Sequence, residues 1–156
     1  MKLAILAVGR KPPAWVAQGC AEYLKRMPRE LPLAIVEIKP ETRGSKSREQ
    51  LLAAEKARLL AALNGYGRVV VLDERGDDLS TLRLAERLQG WMRAGGATAF
   101  VIGGADGIDQ DLKLQADEAI RLSSLTLPHA LARLILCEQL YRATSVVRQH
   151  PYHREG

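Results

Sequence analysis

The chain has 156 residues, long enough for one domain with its own core, and its 47% apolar and 26% charged content excludes a disordered or low-complexity protein. Lys and Arg number 23 against 18 Asp and Glu, a formal charge of +5, which is compatible with a nucleic-acid partner without demonstrating one. With one Phe, two Trp and four Tyr, an aromatic platform for single-stranded RNA is excluded, so phosphate contacts and shape would carry any such recognition.

Residues 2–8 are almost wholly apolar, as in a strand buried on both faces. They are too short for a secretory apolar region, and no run approaches the ~20 residues that span a bilayer, so a cytoplasmic protein is expected. Pro12-Pro13 open a helix whose stripe is Val16, Cys20, Tyr23, Leu24 and Met27, broken by Pro28 and Pro32. Leu33 to Ile38 is a second strand. Lys39 to Arg48 is the most basic and loop-like piece, carrying Lys39, Arg43, Lys46 and Arg48. It reads either as a solvated loop or as one that contacts phosphates.

Ser47 and Gln50 have the spacing of a capping box, opening a helix through Leu51, Leu52, Leu59, Leu60 and Leu63 that ends at Asn64-Gly65. Arg68 to Asp73 is a short β-branched strand, predicted to stop in a turn at Asp73-Glu74-Arg75-Gly76. Ser80 or Thr81 caps the next helix, with Leu84, Ala85, Leu88 and Trp91 as its apolar positions and Gly95-Gly96 as its stop. Residues 99–102 form a strand that runs into Gly103-Gly104-Ala105-Asp106-Gly107. Asp109 caps a short helix to Ala116, and residues 119–122 make a fifth strand. Cys20 and Cys137 sit in separate helix patterns without CxxC spacing and read as buried thiols.

Strands alternate with helices throughout, which predicts one α/β domain over residues 1–156, with a mainly parallel sheet sandwiched by helices. Ligands of such sheets collect beyond the carboxyl ends of the strands. Three of these ends stand out: Leu72-Asp73, Gly103-Gly104 and Ser123 to Leu127. The glycine run is neither GxGxxG nor a phosphate loop, and reads as a tight turn or as close approach of backbone to a ligand. In Leu122-Ser123-Ser124-Leu125-Thr126-Leu127, closed by Pro128, leucines and hydroxyls mix as neither a surface loop nor a core strand requires. It reads as irregular backbone around a flat, partly apolar group. With the glycine turn it would clamp an adenosine, and the tail Pro151-Tyr152-His153-Arg154 is expected to reach a substrate beside it.

Residues 129–147 form a helix that is apolar nearly all round, with Leu131, Leu134, Ile135 and Tyr141 on one side and Leu136, Leu140, Ala143 and Val147 on another. Two apolar faces suit burial in the core and against a second subunit, or else a central helix of a monomer. Arg133, Glu138 and Arg142 are its polar remainder. His129 reads as a helix N-terminal residue satisfied by a hydrogen bond. His150 and His153 lack the company of Cys or carboxylates, so no metal is expected.

The pattern LSxLTLPHxLxRxxLxEQLYRA followed by PYHR resembles the RlmH family of small SPOUT-class methyltransferases. The resemblance extends over the chain through MKLxxxAVG at the start, RVVVLDERG in the centre and Ile102-Gly103-Gly104. One local departure is Ala105-Asp106. The resemblance implies a trefoil-knotted SPOUT α/β fold, S-adenosylmethionine as methyl donor, and a homodimer that methylates N3 of a pseudouridine in 23S rRNA within the ribosome. It places the cofactor at Leu72, Gly103 and Leu122 to Leu127. His153 is then the candidate base for the N3 proton, Arg154 or Arg142 the stabiliser of charge on the base oxygens, and Tyr152 a ring to stack on the uracil. Arg10, Lys11, Lys39, Arg43, Lys46 and Arg48 are candidate phosphate contacts. The alternatives are a non-catalytic ribosome-binding protein that retains the fold, and a flavodoxin-like nucleotide-binding enzyme.

Overall fold

Alternation of apolar runs with amphipathic stretches becomes five strands and five α-helices: β1 Leu3–Val8, α1 Ala14–Arg26, β2 Leu33–Ile38, α2 Arg48–Ala62, β3 Arg68–Asp78, α3 Thr81–Ala94, β4 Thr98–Ile102, α4 Gln110–Gln115, β5 Glu118–Arg121 and α5 His129–Val147. A 3-10 turn, Pro151–Arg154, follows. The computed structural model describes residues 1–154. The strands form one parallel sheet in the order β2-β1-β4-β3-β5.

β1 and β4 are buried along their whole length, as their unbroken apolar sequences require. Successive side chains of β1 point to opposite faces. Leu3, Ile5 and Ala7 enter the layer with α1, α3 and α5, where Val16, Leu88, Trp91, Leu136 and Leu140 meet them. Ala4, Leu6 and Val8 enter the other layer, against Leu59 of α2, Leu63 just after it and Leu112 of α4. Cys20 and Cys137 are buried free thiols that join α1 to α5. Their mutual hydrogen bond, with burial, pushes Cys137 far above the ordinary thiol range.

Local signals set the helix ends. Ser47 and Gln50 form the reciprocal capping box, Ser80 rather than Thr81 caps α3, and the Asp109 carboxylate accepts from the amides of Asp111 and Leu112. Leu60 departs from its expected place in the apolar stripe. It is 44% exposed, because α2 turns only one side to the sheet and Leu60 lies off it.

The predicted end of the third strand is overturned. β3 continues to Asp78 and pairs with β5 on both sides of a register shift, Leu72 opposite Ile120 and then Asp77 opposite Ile120 again. Residues 73–76 bulge outward between the two pairings. Gly76 makes this possible: a Cβ there would lie 2.7 Å from backbone atoms of Ala119 and Ile120. The Arg87 guanidinium donates to Asp77 and Glu118 at 2.8 Å each, and Trp91 Nε1 donates to Glu118 at 2.6 Å, which ties the extension to α3. Among the described residues, no helix is long and apolar enough to cross a membrane.

Candidate active site

β4, β3 and β5 are neighbours in the sheet, so the loops leaving their carboxyl ends converge. They enclose a cavity of about 920 Å³, within the range of small-molecule sites. Leu72, Gly103 and all six residues from Leu122 to Leu127 line it, together with the bulge Asp73-Glu74-Arg75. The structure thus brings together every residue that sequence places around a cofactor. Within residues 122–127, the one hydrogen bond among the described residues runs from the Leu125 amide to the Ser123 hydroxyl. The run therefore presents backbone donors and acceptors to the cavity. Leu125 projects at the rim, 76% exposed.

The glycine turn is built for close packing. A Cβ on Gly103 would sit 2.6 Å from the Gly107 carbonyl oxygen. Gly107 has φ +87° and donates to the Gly104 carbonyl at 3.0 Å, closing the turn in a conformation that favours glycine. Across the cavity, Lys113 Nζ stands 3.5 Å from the Asp73 carboxylate, and the Arg121 guanidinium pairs with Asp78 at 2.8 Å while its Nε is buried without a partner.

α5 begins at the wall of this cavity. His129 lines it, and its ring packs so tightly on the chain after β1 that a Cβ on Gly9 would lie 3.0 Å from Cε1. Its Nε2 is buried with no hydrogen-bond partner, so the hydrogen-bonded role read from sequence is not the one observed. Burial and then the charge of Arg133 hold the imidazole below the ordinary histidine value, favouring its neutral form. Arg133, expected on a polar face, is only 2% exposed. It reaches Glu37 of β2 at 2.9 Å, while its Nε and second terminal nitrogen find no partner. A lone charge on an apolar helix gave no sign of burial, because its partner lies 96 residues away.

The other candidate residues gather at the far end of α5. Arg142 Nε donates to Glu138 Oε1 at 2.7 Å, and the Tyr152 hydroxyl approaches the same oxygen at 3.2 Å and the Tyr23 hydroxyl at 3.3 Å. The Tyr152 ring stands edge-on to Tyr141, with centroids 4.6 Å apart, and beneath the Arg142 guanidinium at 5.0 Å. Burial, the Tyr23 hydrogen bond and the Glu138 charge raise the Tyr152 phenol far above the ordinary tyrosine value, favouring its protonated form. His153 is half-buried, and its Nδ1 is buried without a partner. Arg154 is exposed. Glu138 and Tyr23, which organise this cluster, were not singled out from sequence, where they read as a helix charge and an apolar stripe residue. Among the described residues, no three His, Cys, Asp or Glu side chains gather as metal ligands.

α5 has 19 residues. At a rise of 1.5 Å per residue its ends are about 27 Å apart. The tail folds back on the second half of the helix, Tyr152 reaching Glu138 at 3.2 Å, and within one protomer none of its residues lines the cavity.

The family model described as a predicted SPOUT methyltransferase matches residues 1–153. A protein of Dechloromonas aromatica named ribosomal RNA large subunit methyltransferase H is 67% identical over all 156 residues, covering 100% of both chains. One of the same name from Burkholderia cenocepacia is 56% identical over 155 residues, 99% of each. Among solved structures, a methylase family protein from Haemophilus influenzae superposes with a TM-score of 0.59 at 14% identity, over 97% of this chain and 69% of that one. Another from Neisseria gonorrhoeae gives 0.56 at 15%, over 89% and 81%. At those identities the structural likeness concerns the fold.

Proposed function

Because the chain belongs to the SPOUT methyltransferases, within the family of ribosomal RNA large subunit methyltransferase H, we propose that it methylates N3 of a pseudouridine in 23S rRNA. The donor in this reading is S-adenosylmethionine and the substrate is the assembled ribosome, in the cytoplasm. The observation that carries it is the convergence of Leu72, Gly103 and Leu122 to Leu127 on one cavity. The family's knotted threading is taken over with this reading.

The cavity suits such a donor. Unpaired backbone groups of residues 122–127 can bind the adenine edge, leucines of the same run can cover its faces, and the Asp73 carboxylate can accept from ribose hydroxyls. When bound, S-adenosylmethionine supplies an electrophilic methyl group on a cationic sulfonium. A neutral His129 in the wall avoids a second cation beside it.

The residues of the tail have the chemistry the acceptor needs. His153 takes the imide proton from N3, which leaves negative charge on the flanking oxygens of the base. Arg142, held by Glu138, and Arg154 stabilise that charge or grip a phosphate. Tyr152 stacks on the uracil by exchanging its place under Arg142 for the base.

These groups meet the cavity if two copies pack with their α5 helices antiparallel. Leu131, Ile135, Glu138 and Arg142 fall on one face of α5 that runs from the cavity end to the tail end. Leu131 and Ile135 on that face are only half-buried in one chain. A homodimer would cover them and bring each tail to its partner's cavity.

The test is transfer of labelled methyl from S-adenosylmethionine to ribosomes that lack this modification. Label on N3 of a large-subunit pseudouridine is the expected result. Cofactor binding with no transfer would mean a different acceptor, and neither binding nor transfer would remove the catalytic reading.

A further inference from the structure

Loop 39–47 is the most basic stretch of the sequence, and its two ends are pinned. The Arg58 guanidinium donates to the Lys39 carbonyl at 2.8 Å and to Glu41 at 3.1 Å. The Glu41 amide donates at 3.0 Å to Glu55, a carboxylate only 4% exposed, and Ser47 caps α2. Between these anchors the Lys46 amide closes a tight turn on the Arg43 carbonyl at 2.8 Å. That turn fixes where Arg43 emerges.

Arg43 and the first residue of α2, Arg48, both reach across to one residue of the glycine turn. Arg43 donates to the Asp106 carboxylate at 2.5 Å, and Arg48 donates to the Asp106 carbonyl at 2.8 Å. Arg43 keeps 54% of its side chain exposed and Arg48 is also exposed, so both guanidiniums can meet a large partner. Arg48, Asp106 and the rest of the glycine turn belong to the wall of the cofactor cavity. A carboxylate and a carbonyl on one small turn therefore occupy two arginines at the mouth of the cavity.

We propose that Arg43 and Arg48 form a phosphodiester-binding site for the RNA substrate at the mouth of the cavity, and that Asp106 fills this site until RNA arrives. The proposal rests on the RNA-methyltransferase reading given above. Planar guanidiniums bind phosphate through paired hydrogen bonds, and a phosphodiester offers two such acceptors where Asp106 engages the two arginines through separate groups. Exchange of partners leaves Asp106 free to turn to water. The glycine turn then keeps only its own Gly107 to Gly104 hydrogen bond to hold it. Arrival of the RNA backbone is thus felt at the wall of the cofactor cavity. The loop becomes a part of this chain that orients the substrate over the site.

The test uses the full chain and unmodified large-subunit particles, with binding measured directly and apart from turnover at several salt concentrations. The double variant R43Q/R48Q should bind about tenfold more weakly, with the slope of log affinity against log salt reduced by about 1 to 2, as expected for losing that many phosphate contacts. D106N, which releases Arg43, should bind at least as tightly as the unaltered protein. Arg43 does not line the cavity, so R43Q alone should keep the affinity of the unaltered protein for S-adenosylmethionine in equilibrium dialysis while its salt slope falls by about 1.

If these side chains only staple the turn, both variants would lose cofactor affinity alike while the salt slope stayed unchanged. That result overturns the proposal, as does D106N binding particles more weakly than the unaltered protein. A protein that binds particles with the expected slopes but transfers no methyl would leave the phosphate site standing and remove the catalytic reading.

Discussion

The two ends of α5 solve different problems. At its amino end, loops after β3, β4 and β5 of a single chain close around a cavity. Over its second half, Glu138, Arg142, Tyr152 and Tyr23 condense on one another around a single carboxylate oxygen. The first end is complete as a cavity within one protomer. The second gathers on the second half of α5, about 14 to 20 Å along the helix from its first residue, and lines no part of the cavity. Under the function proposed above, this separation along one helix is bridged by the tail of a second protomer.

The sharpest way to break this comparison is to remove one end and ask what the other retains. A chain truncated after Gln149 should lose transfer by ~10³-fold or more, while its affinity for S-adenosylmethionine in equilibrium dialysis changes by no more than about threefold. His153→Ala should lower turnover by ~10²- to 10⁴-fold, again with little effect on cofactor affinity; unchanged single-turnover rates would take His153 out of the base role. Gly103→Val strikes the opposite end. Its Cβ meets the Gly107 carbonyl at 2.6 Å, so the turn must shift, costing about 1–3 kcal/mol and weakening the cofactor by at least ~10-fold in calorimetry. The tail cluster should be untouched by it.

Glu138→Gln tests the order within the tail. Arg142 and Tyr152 lose a shared charged acceptor, which should lower stability in urea by about 1 kcal/mol and turnover more than cofactor affinity. The smallest expected effect concerns pH. His129 is held below its ordinary value in the folded protein, so between that lowered value and about 6.5 the unfolded chain binds a proton that the native chain refuses. Stability should therefore be complete above that window and fall as the pH drops through it. His129→Gln should flatten this dependence in urea titrations across the same range; an identical slope in both proteins would contradict the assignment.

What sequence revealed, and what it did not, follows the same division between near and far. The Ser47, Ser80 and Asp109 caps and the bounds of α5 were legible because each depends on residues within a turn or two. The three cavity loops were legible because parallel sheets gather ligands at their carboxyl ends. The continuation of β3 was not, since Asp73-Glu74-Arg75-Gly76 has turn chemistry. Only the backbone of β5 passing against Gly76 turns it into a bulge. Arg133 likewise read only as part of the polar remainder of α5, and its burial follows from Glu37 being brought to it. Where the tail lies was not legible either, since its fold back onto Glu138 and Tyr23 depends on residues 14 and 129 positions away from Tyr152.

The central claim, that one chain's cavity works with another chain's tail, has a direct test in mixed dimers. Gly103→Val is prepared without a working cavity and the chain ending at Gln149 without a tail. The two are unfolded together, refolded, and assayed for methyl transfer to unmodified ribosomes. A shared site predicts that two nearly inactive proteins recover about a quarter of the unaltered activity, because half of the dimers are mixed and each mixed dimer holds one intact cavity facing one intact tail. Recovery no greater than the sum of the two separate variants would contradict the account and place the cavity and the tail of each chain in the same site.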